Sequence, residues 1–490
     1  MATSASEYTW LEEPLLRTPA QPRQQAAYGS GRGKQQAGDS PDPEAAVVPS
    51  PAAGWRLATE VFEEPPVQYK QSSLWDTTVN LTNAILGAGM LAFPRAFAGL
   101  GLLGGGAMTV AVAIMTYASI AVMLRPTERT RKLTYAAVME HEWGHWAGVA
   151  VRFSIVVGSA GFLVLYLIVL ADLLVGSEEY SGIIPDLWPQ LPDPLPWYLG
   201  RTAMLTWATL LVAPALCPKT LGGVAPISIF KIGCSFLCVA ACVALAIILA
   251  VQGQLPAIHL LPDPSFFGDS FWERLKNVVA VVPVIMTAFV CQMSIHPLVS
   301  DLHDYTPRRM RTAVGWSMVL SGTTYATIGV SGFMVFGVAV QGDVLSNLNI
   351  DDVAKIMGGN VGAAMAFVAT VKVAMAISMV LSFPITIWPM REDIIEMLAH
   401  SLGSSTQLSP TAYYLLTYTS LLAIYLVAVG IQSAYSVVGI VGATCGTTMG
   451  FIFPGMLALR DPQGGAAYKA FGWGLLAAGA VLFAVGVTAS

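Results

Sequence analysis

Glycine and polar residues interrupt the first long apolar segment of the chain, TVNLTNAILGAGMLAFPRAF. The segment contains Asn83, Gly87 and Gly89, which favour a break in a membrane helix. A break frees backbone N–H groups at one helix end and C=O groups at the other, and in a dry interior these need partners such as a carboxylate and a cation. The pattern therefore predicts a binding site for a small charged ligand. The competing interpretation is that the glycines only allow close packing of helices.

A second apolar segment, VVPVIMTAFVCQMSIHPLVSDL, is interrupted in the same way by Pro283, Gln292 and Pro297. Two interrupted helices in corresponding positions of a chain predict an inverted repeat, here of spans one to five against spans six to ten. The segment also contains His296. A histidine inside a membrane is costly unless it is paired or functional, so a functional role and plain packing are both retained as interpretations.

Hydroxyl and amino groups lie within two further apolar segments. Ser378 and Ser382 are four residues apart and share one helix face, so their hydroxyls can coordinate a small cation. The alternative is that they bond to carbonyls of their own helix. Lys231 and Lys372 also lie inside apolar segments, and both can extend their ammonium groups toward the membrane surface.

One motif is typical of zinc proteases. His141, Glu142 and His145 form an HExxH pattern, in which the two histidines bind zinc and the glutamate acts as base. Against this interpretation, the motif lies in a short basic loop, Gly144 weakens the helix that it requires, and the sequence offers no obvious third ligand. We therefore do not expect an enzyme.

The composition excludes a soluble globular protein. Of 490 residues, 55% are hydrophobic and only 11% are charged, whereas soluble domains have roughly 25% charged residues. The net charge is -5 and the basic residues are scattered, so no nucleic-acid partner is expected. The six cysteines lie in or beside apolar segments without the spacing of metal ligands or of disulfide frameworks. The lipid bilayer is the expected environment.

Eleven apolar stretches are long enough to cross a bilayer. They cover residues 74–98, 100–124, 149–175, 198–217, 225–252, 277–299, 313–338, 361–390, 411–430, 432–459 and 469–488. The run GLGLLG at 99–104 follows no strand, so it is predicted to be a tight turn between two helices and not a dinucleotide site. Prolines in residues 182–197 forbid a continuous helix and predict a loop.

Residues 1–72 are rich in Ala, Pro, Gln, Gly and Ser and are predicted to be a disordered tail. Loops on the tail's side of the predicted spans carry most of the Lys and Arg residues, which predicts that the tail is cytoplasmic. Two short patterns, at residues 8–11 and 12–16, have the form of endosomal sorting signals and suggest a sorting adaptor as a partner. Residues 73–490 form the predicted membrane domain.

At several places the sequence resembles the amino acid/auxin permease family, nearest its sodium-coupled neutral amino acid transporter branch. The segment NLTNAILGAGMLAFPRAF is similar to the first span of that family. The resemblance continues, in order, through FVCQ, HPLVSDL, YTPRRM, SGFMVFG, LSFPITIWPMR and VVGIVGATCGTTMGFIFPG, and it covers roughly residues 70–488.

The resemblance implies a fold class and an activity. The fold is an all-α polytopic membrane protein with eleven transmembrane helices: a five-plus-five inverted repeat with broken helices one and six, plus one extra helix. The activity is transport of neutral amino acids by alternating access, coupled to Na+ or H+, with no other cofactor. The alternative is a membrane-embedded amino-acid sensor that signals through its N-terminal tail.

The resemblance also assigns two sets of site residues. The substrate set is Leu86, Gly87, Ala88, Gly89, Tyr166, Val290, Cys291 and Gln292. The cation-coupling set is Asn83, Ser378, Ser382 and Lys231.

Two positions depart from the family's pattern. Gln292 stands where many relatives have histidine, so that histidine's role in pH response does not carry over, and His296 need not replace it. Lys231 stands near a position where relatives have a small polar residue. Its ammonium group could replace sodium, and cycling its proton would then couple transport to H+. The resemblance leaves the plasma membrane and a vacuolar or lysosomal membrane both open.

Overall fold

The helices of this chain are known from a computed structural model, which describes residues 72–176, 182–188, 190–192, 195–217, 224–262, 269–402, 408–431 and 433–489. The predicted tail lies outside the described residues except for Ser72. The backbone of Ser72 pairs with the end of a later helix, donating to the carbonyl of Asp301 and accepting from the N–H of His303. The prediction of a disordered cytoplasmic tail therefore stays a prediction.

Sixteen α-helices make up most of the described chain. In order they are α1 Leu74–Ile85, α2 Phe93–Thr130, α3 Tyr135–Trp143, α4 His145–Val175, α5 Ile183–Leu187, α6 Arg201–Val212, α7 Val224–Gln252, α8 Phe271–Phe289, α9 Gln292–Asp301, α10 Pro307–Phe336, α11 Ile350–Ile356, α12 Val361–Leu402, α13 Pro410–Gly430, α14 Ala434–Val441, α15 Phe453–Arg460 and α16 Ala466–Ala489. Short 3₁₀ segments at Ala88–Ala92 and Gly337–Ala339 and π-helical segments at Gly442–Gly446 and Thr448–Ile452 extend some of them.

Nine helices in the described part are long and apolar enough to cross a membrane. The chain is therefore an all-α polytopic membrane protein, as its composition predicted. The first of the nine, Ala88–Thr130, is interrupted inside, and the helical stretch Arg201–Leu216 is apolar but shorter than the others. The count of eleven spans and the inverted repeat stay predictions.

The predicted tight turn lies at Gly101, within α2. Gly101 has φ 70° and ψ 170°, so the helix is broken there into two. A Cβ atom at this position would lie 2.5 Å from the carbonyl oxygen of Leu261, which no side chain tolerates. The following N–H groups of Leu102 and Leu103 donate to the carbonyls of His259 and Leu260. Glycine is therefore required at position 101 both by the positive φ angle and by the close approach of the backbone at Leu260 and Leu261.

The prediction of a loop over residues 182–197 is wrong in one part, because Ile183–Leu187 forms the short helix α5. Pro185 lies in the first turn of this helix, where the backbone N–H has no helical acceptor, so proline costs nothing there. The helix ends at Leu187, two residues before the next proline.

The long helices pack around the interrupted ones. Helix α10 packs against α1, α2 and α7, while α12 packs against α4 and α7. Helix α8 packs against α2, α14 and α16. The first broken helix is thereby held between α10 and α8, so that its break lies in the protein interior.

Candidate functional site

The first interrupted helix breaks at Leu86 and Gly87. Helix α1 ends at Ile85, and both residues of the break have extended backbone, with φ -69° and ψ 101° at Leu86 and φ -143° and ψ -163° at Gly87. A 3₁₀ segment then begins at Ala88. The predicted break is thus confirmed at the position where the glycine pattern placed it.

Three successive N–H groups are free at this break. Those of Gly87, Ala88 and Gly89 donate no hydrogen bond to another residue in the described part of the chain. Gly87 is partly exposed whereas its neighbours on both sides are buried. Free N–H groups at a helix start attract a negative group, so the break is suited to hold a carboxylate.

The second interrupted helix breaks at Val290 and Cys291. Helix α8 ends at Phe289 and α9 begins at Gln292. Val290 is extended, with φ -65° and ψ 110°. The side-chain oxygen of Gln292 accepts the N–H of Cys291 at 3.1 Å, and Gln292 is buried. The Gln292 side chain thus satisfies one backbone N–H group at the start of its own half-helix.

The two breaks lie against each other. A Cβ atom at Gly89 would lie 3.1 Å from the Cα atom of Ala288, at the end of α8. The hydroxyl of Tyr325, in α10, lies 2.6 Å from the carbonyl oxygen of Ile85 and 2.9 Å from that of Ala288. The single hydroxyl hydrogen of Tyr325 is therefore shared between carbonyl groups at the ends of α1 and α8. Sequence reasoning missed Tyr325, because nothing in its neighbourhood, SGTTYATIG, distinguishes it from a packing residue.

Aromatic rings hold Tyr325 in position. Its ring stacks on Phe93, with centroids 4.5 Å apart, and meets Phe289 edge to face at 5.0 Å. Tyr325 is fully buried. Such pairs stabilise a defined orientation in addition to burying area, so the hydroxyl is held facing the two carbonyls.

Tyr166, a predicted substrate residue in α4, reaches the first break. A Cβ atom at Gly87 would lie 3.8 Å from the Tyr166 hydroxyl. The same hydroxyl lies near Ser382 and Thr386 in α12. The structure therefore brings together one residue of the first break, one of α4 and one of the predicted cation set.

The predicted cation residues are buried, but Asn83 is not joined to the two serines. Asn83, Ser378 and Ser382 are each at most 7% exposed. The Asn83 side-chain oxygen accepts no hydrogen bond from any described residue. The Ser382 hydroxyl donates to the carbonyl of Ser378 at 2.8 Å, which is the bonding within one helix that was weighed as the alternative. No hydrogen bond within the described chain joins Asn83 to either serine.

Lys231 lies in α7, which packs against α1, α10 and α12. The side chain is buried, with 7% exposure, so it does not extend to the surface. Within the described ranges no carboxylate lies within ion-pair distance of it. The interpretation that the Lys231 ammonium group extends to the membrane surface is therefore excluded. Only an interior position of this side chain is compatible with the structure.

His296 is buried among polar and aromatic neighbours. Its Nε2 lies 3.1 Å from the hydroxyl of Thr127, and its ring stacks on Tyr135 with centroids 5.8 Å apart. The Nδ1 atom has no hydrogen-bond partner among the described residues. Packing against α2 and α3 explains the ring's position without a role at the breaks.

The HExxH motif does not form a zinc site. Helix α3 ends at Trp143, and Gly144, with φ 90°, separates the two histidines onto different helices. His141 lies 3.4 Å from Glu142, whereas His145 lies 3.5 Å from Glu140. Across the described ranges no group of three metal-binding side chains occurs. The glycine weakens the helix as expected.

A largely buried cluster of charges, which we call the charged cluster, was not predicted. Its members are Asp172, Asp186, Arg201, Asp343 and Lys372. Lys372 is 1% exposed and lies 3.7 Å from Asp186, so the expectation that it extends to the surface is wrong. Sequence reasoning missed the cluster because its members come from five separate segments, and only the fold brings them together.

Comparison with known proteins identifies amino acid transporters as the relatives of this chain. A family model described as "Transmembrane amino acid transporter protein" matches residues 70–489. The chain is 29% identical over 399 residues to Amino acid transporter AVT6A of Arabidopsis thaliana, covering 80% of this chain and 82% of that protein.

Two further relatives come from a fungus and a mammal. Vacuolar amino acid transporter 5 of Schizosaccharomyces pombe is 23% identical over 80% of this chain and 85% of its own length. Sodium-coupled neutral amino acid transporter 7 of Mus musculus is 25% identical over 78% of this chain and 77% of its own length.

Proposed function

Because the chain belongs to the family of transmembrane amino acid transporter proteins, we propose that it moves neutral amino acids across a membrane by alternating access, driven by a gradient of Na+ or H+. Amino acid transport follows from the family. The substrate class, the coupling ion and the mechanism are the steps that we add.

The observation that carries the proposal is the free backbone at the first break. The N–H groups of Gly87, Ala88 and Gly89 are positioned to bind the substrate's carboxylate. The Tyr166 hydroxyl, close to Gly87, lines the same space. Since the second break packs directly on the first, a movement of one half-helix changes the access to this space from one side of the membrane.

Two groups support alternative coupling ions. The Asn83 oxygen, which has no hydrogen-bond partner in the described chain, is suited to a sodium ion, with Ser378 and Ser382 as further oxygen ligands. Lys231 is buried, and no carboxylate of the described residues lies within ion-pair distance of it, so it is suited to release and rebind a proton in each cycle. The two alternatives predict different effects of the same mutation.

The test is uptake of labelled neutral amino acids into proteoliposomes under an imposed Na+ gradient or an imposed H+ gradient. Wild type, Lys231→Ser and the exposed control Lys132→Ser are compared. If Na+ drives uptake and Lys231→Ser retains it, the ion is sodium. If only H+ drives uptake and Lys231→Ser alone abolishes coupling, the ion is a proton on Lys231. Binding of amino acids without flux under either gradient would overturn transport in favour of a sensor.

The membrane is proposed from the relatives. The name of the S. pombe relative supports a vacuolar or lysosomal membrane over the plasma membrane. A fluorescent fusion should colocalise with a vacuolar or lysosomal marker. Mutation of Tyr8 and Leu11 should shift it to the plasma membrane if this pattern binds a sorting adaptor. A fusion found at the plasma membrane before any mutation would contradict the assignment.

A further inference from the structure

The charged cluster contains more acids than bases. Asp172 and Arg201 form an ion pair at 3.2 Å, and Asp186 and Lys372 lie 3.7 Å apart. Asp343 is the third carboxyl group, and among the described residues no cation lies within ion-pair distance of it. With every group ionised, these five side chains therefore carry one uncompensated negative charge.

Burial makes this charge costly. Lys372 is 1% exposed and Asp343 is 7% exposed, and the side chain of Asp186 is 10% exposed. The Oδ2 atom of Asp186 accepts no hydrogen bond from the described chain, although it is the atom nearest to the Lys372 ammonium group. A net charge in a low-dielectric interior is strongly unfavourable, and one bound proton removes it.

Asp343 is the carboxyl group best placed to take that proton. Its oxygens accept the N–H of Leu345 at 3.0 Å and lie 3.5 Å from the hydroxyl of Ser346. Burial raises the pKa of Asp343 to about 7, and these two donors and Lys372 only partly oppose the rise. Asp343 lies in the segment between α10 and α11, outside the candidate membrane spans.

Charged and titratable groups face Asp343 from several elements. They are Asp172 at the end of α4, Lys372 in α12 and the thiol of Cys238 in α7. The negative charge of Asp172 favours protonation of Asp343 and the positive charge of Lys372 disfavours it. Asp186 neutralises part of the Lys372 charge, so it acts on Asp343 through the lysine.

The segment that carries Asp343 is bonded to the first broken helix. The N–H of Val344 donates to the carbonyl of Leu91 at 3.1 Å, within the 3₁₀ segment that follows the first break. Arg95, one turn further on, donates to the carbonyl of Val340 at 3.0 Å. The position of this segment is therefore linked to the half-helix beyond the predicted substrate site.

We propose that the Asp343 carboxyl, within the charged cluster, is a proton-binding site. It controls opening of the transporter toward the side of the membrane on which the segment between α10 and α11 lies. With the proton bound, the cluster is neutral and the segment of residues 340–349 stays packed on the first broken helix. When the proton leaves, the net charge weakens this packing and the side opens. The inference rests on the proposed transport function and adds to it a proton site separate from Lys231.

The test is amino acid exchange in proteoliposomes with the pH varied separately on each side. Wild-type exchange should rise when the pH on the side facing Asp343 is raised through about 7, by up to about tenfold per pH unit, because the ionised fraction below the pKa changes tenfold per unit. Asp343→Asn mimics the protonated form, so its exchange should be slow and independent of pH. The exposed control Asp351→Asn should behave as wild type.

A second variant moves the profile without removing the site. Asp186→Asn removes one negative charge beside Lys372, so Asp343 ionises more readily and the rise in exchange should move to lower pH. An Asp343→Asn protein with the wild-type pH profile, or an Asp186→Asn protein whose profile moves to higher pH, would overturn the proposal.

A stability measurement separates failure of this inference from failure of the transport function. The folded pKa of Asp343, about 7, exceeds its ordinary value of 3.8, so the folded state holds the proton more tightly than the unfolded state. Wild-type Tm should therefore fall as the pH rises from about 4 to about 7, and Asp343→Asn should lose this component. Absence of exchange with this Tm difference intact would reject transport alone, whereas identical Tm profiles would reject the proton site.

Discussion

Two buried polar regions lie close together in this protein and differ in kind. At the helix breaks the polar groups are mainly backbone N–H and C=O groups held by aromatic side chains, and their charges are partial and fixed. In the charged cluster they are ionised side chains whose balance depends on one proton. The comparison teaches that the two proposals, substrate binding at the breaks and a response to pH at the charged cluster, rest on separate residues and can be tested separately.

The largest effect is expected from Tyr325→Phe, at the breaks. Two buried carbonyls lose their donor, and an unsatisfied buried polar group costs about 2 kcal/mol. Unfolding in detergent should show this loss, and substrate affinity should fall by about tenfold or more because both half-helix ends are freed. Tyr414→Phe, which removes a hydroxyl from a ring that is 36% exposed, is the matched control.

The comparison predicts that Tyr325→Phe leaves the pH at half-maximal exchange unchanged. If that pH moves together with the affinity, the two regions act as one unit and the separation between them fails.

A smaller effect, confined to the cation, is expected from Asn83→Ala. If Na+ is the coupling ion, loss of this oxygen ligand should lower the affinity for Na+ by about tenfold, equivalent to about 1.4 kcal/mol. Sodium-dependent uptake measured over a range of Na+ concentrations reports this affinity, and expression of the protein should change much less. Cation dependence that stays at the wild-type value in well-folded protein would exclude Asn83 from the site.

Gly87→Ala tests the space between the first break and Tyr166. The new methyl group fits, because the nearest atom, the Tyr166 hydroxyl, is 3.8 Å away. It occupies the space proposed for the substrate, so KM should rise several-fold, on the order of 1 kcal/mol, while Tm stays within a few degrees of wild type. An unchanged KM would place the substrate elsewhere.

The smallest effect is expected from Glu142→Gln, which lies in neither region. The Glu142 side chain pairs with Arg129, which keeps Asp461 as a second partner, so we expect the protein to tolerate the change. Transport should change by less than about twofold and no zinc should copurify. Zinc bound to the wild-type protein, together with complete loss of transport in Glu142→Gln, would contradict the assignment as a transporter.

How much was predictable from the sequence differs between the two regions. Asn83, Gly87 and Gly89 predicted the first break, because glycine and asparagine are unusual within an apolar helix that crosses a membrane. The glycines of residues 99–104 predicted the turn at Gly101 for the same reason. Local sequence determines such backbone features, so reading the local sequence finds them.

Contacts between distant segments were not predictable in this way. Tyr325 acts on residues about 40 and about 240 positions away, and Lys372 is paired with Asp186, about 190 positions away. Their partners depend on how the long helices pack, which no short window of sequence records. The resemblance to known transporters supplied Tyr166, whose position beside Gly87 the spacing of residues alone did not indicate.

The hydroxyl of Tyr325 has one hydrogen and two acceptors, on two half-helices that would move in the proposed alternating access. When either carbonyl withdraws, the hydrogen passes entirely to the other, and the energetic loss is a fraction of one hydrogen bond. The two half-helices can therefore part in small steps, without a single high barrier. In the proposed cycle, Tyr325 would therefore affect the rate of transport as well as the resting geometry of the breaks.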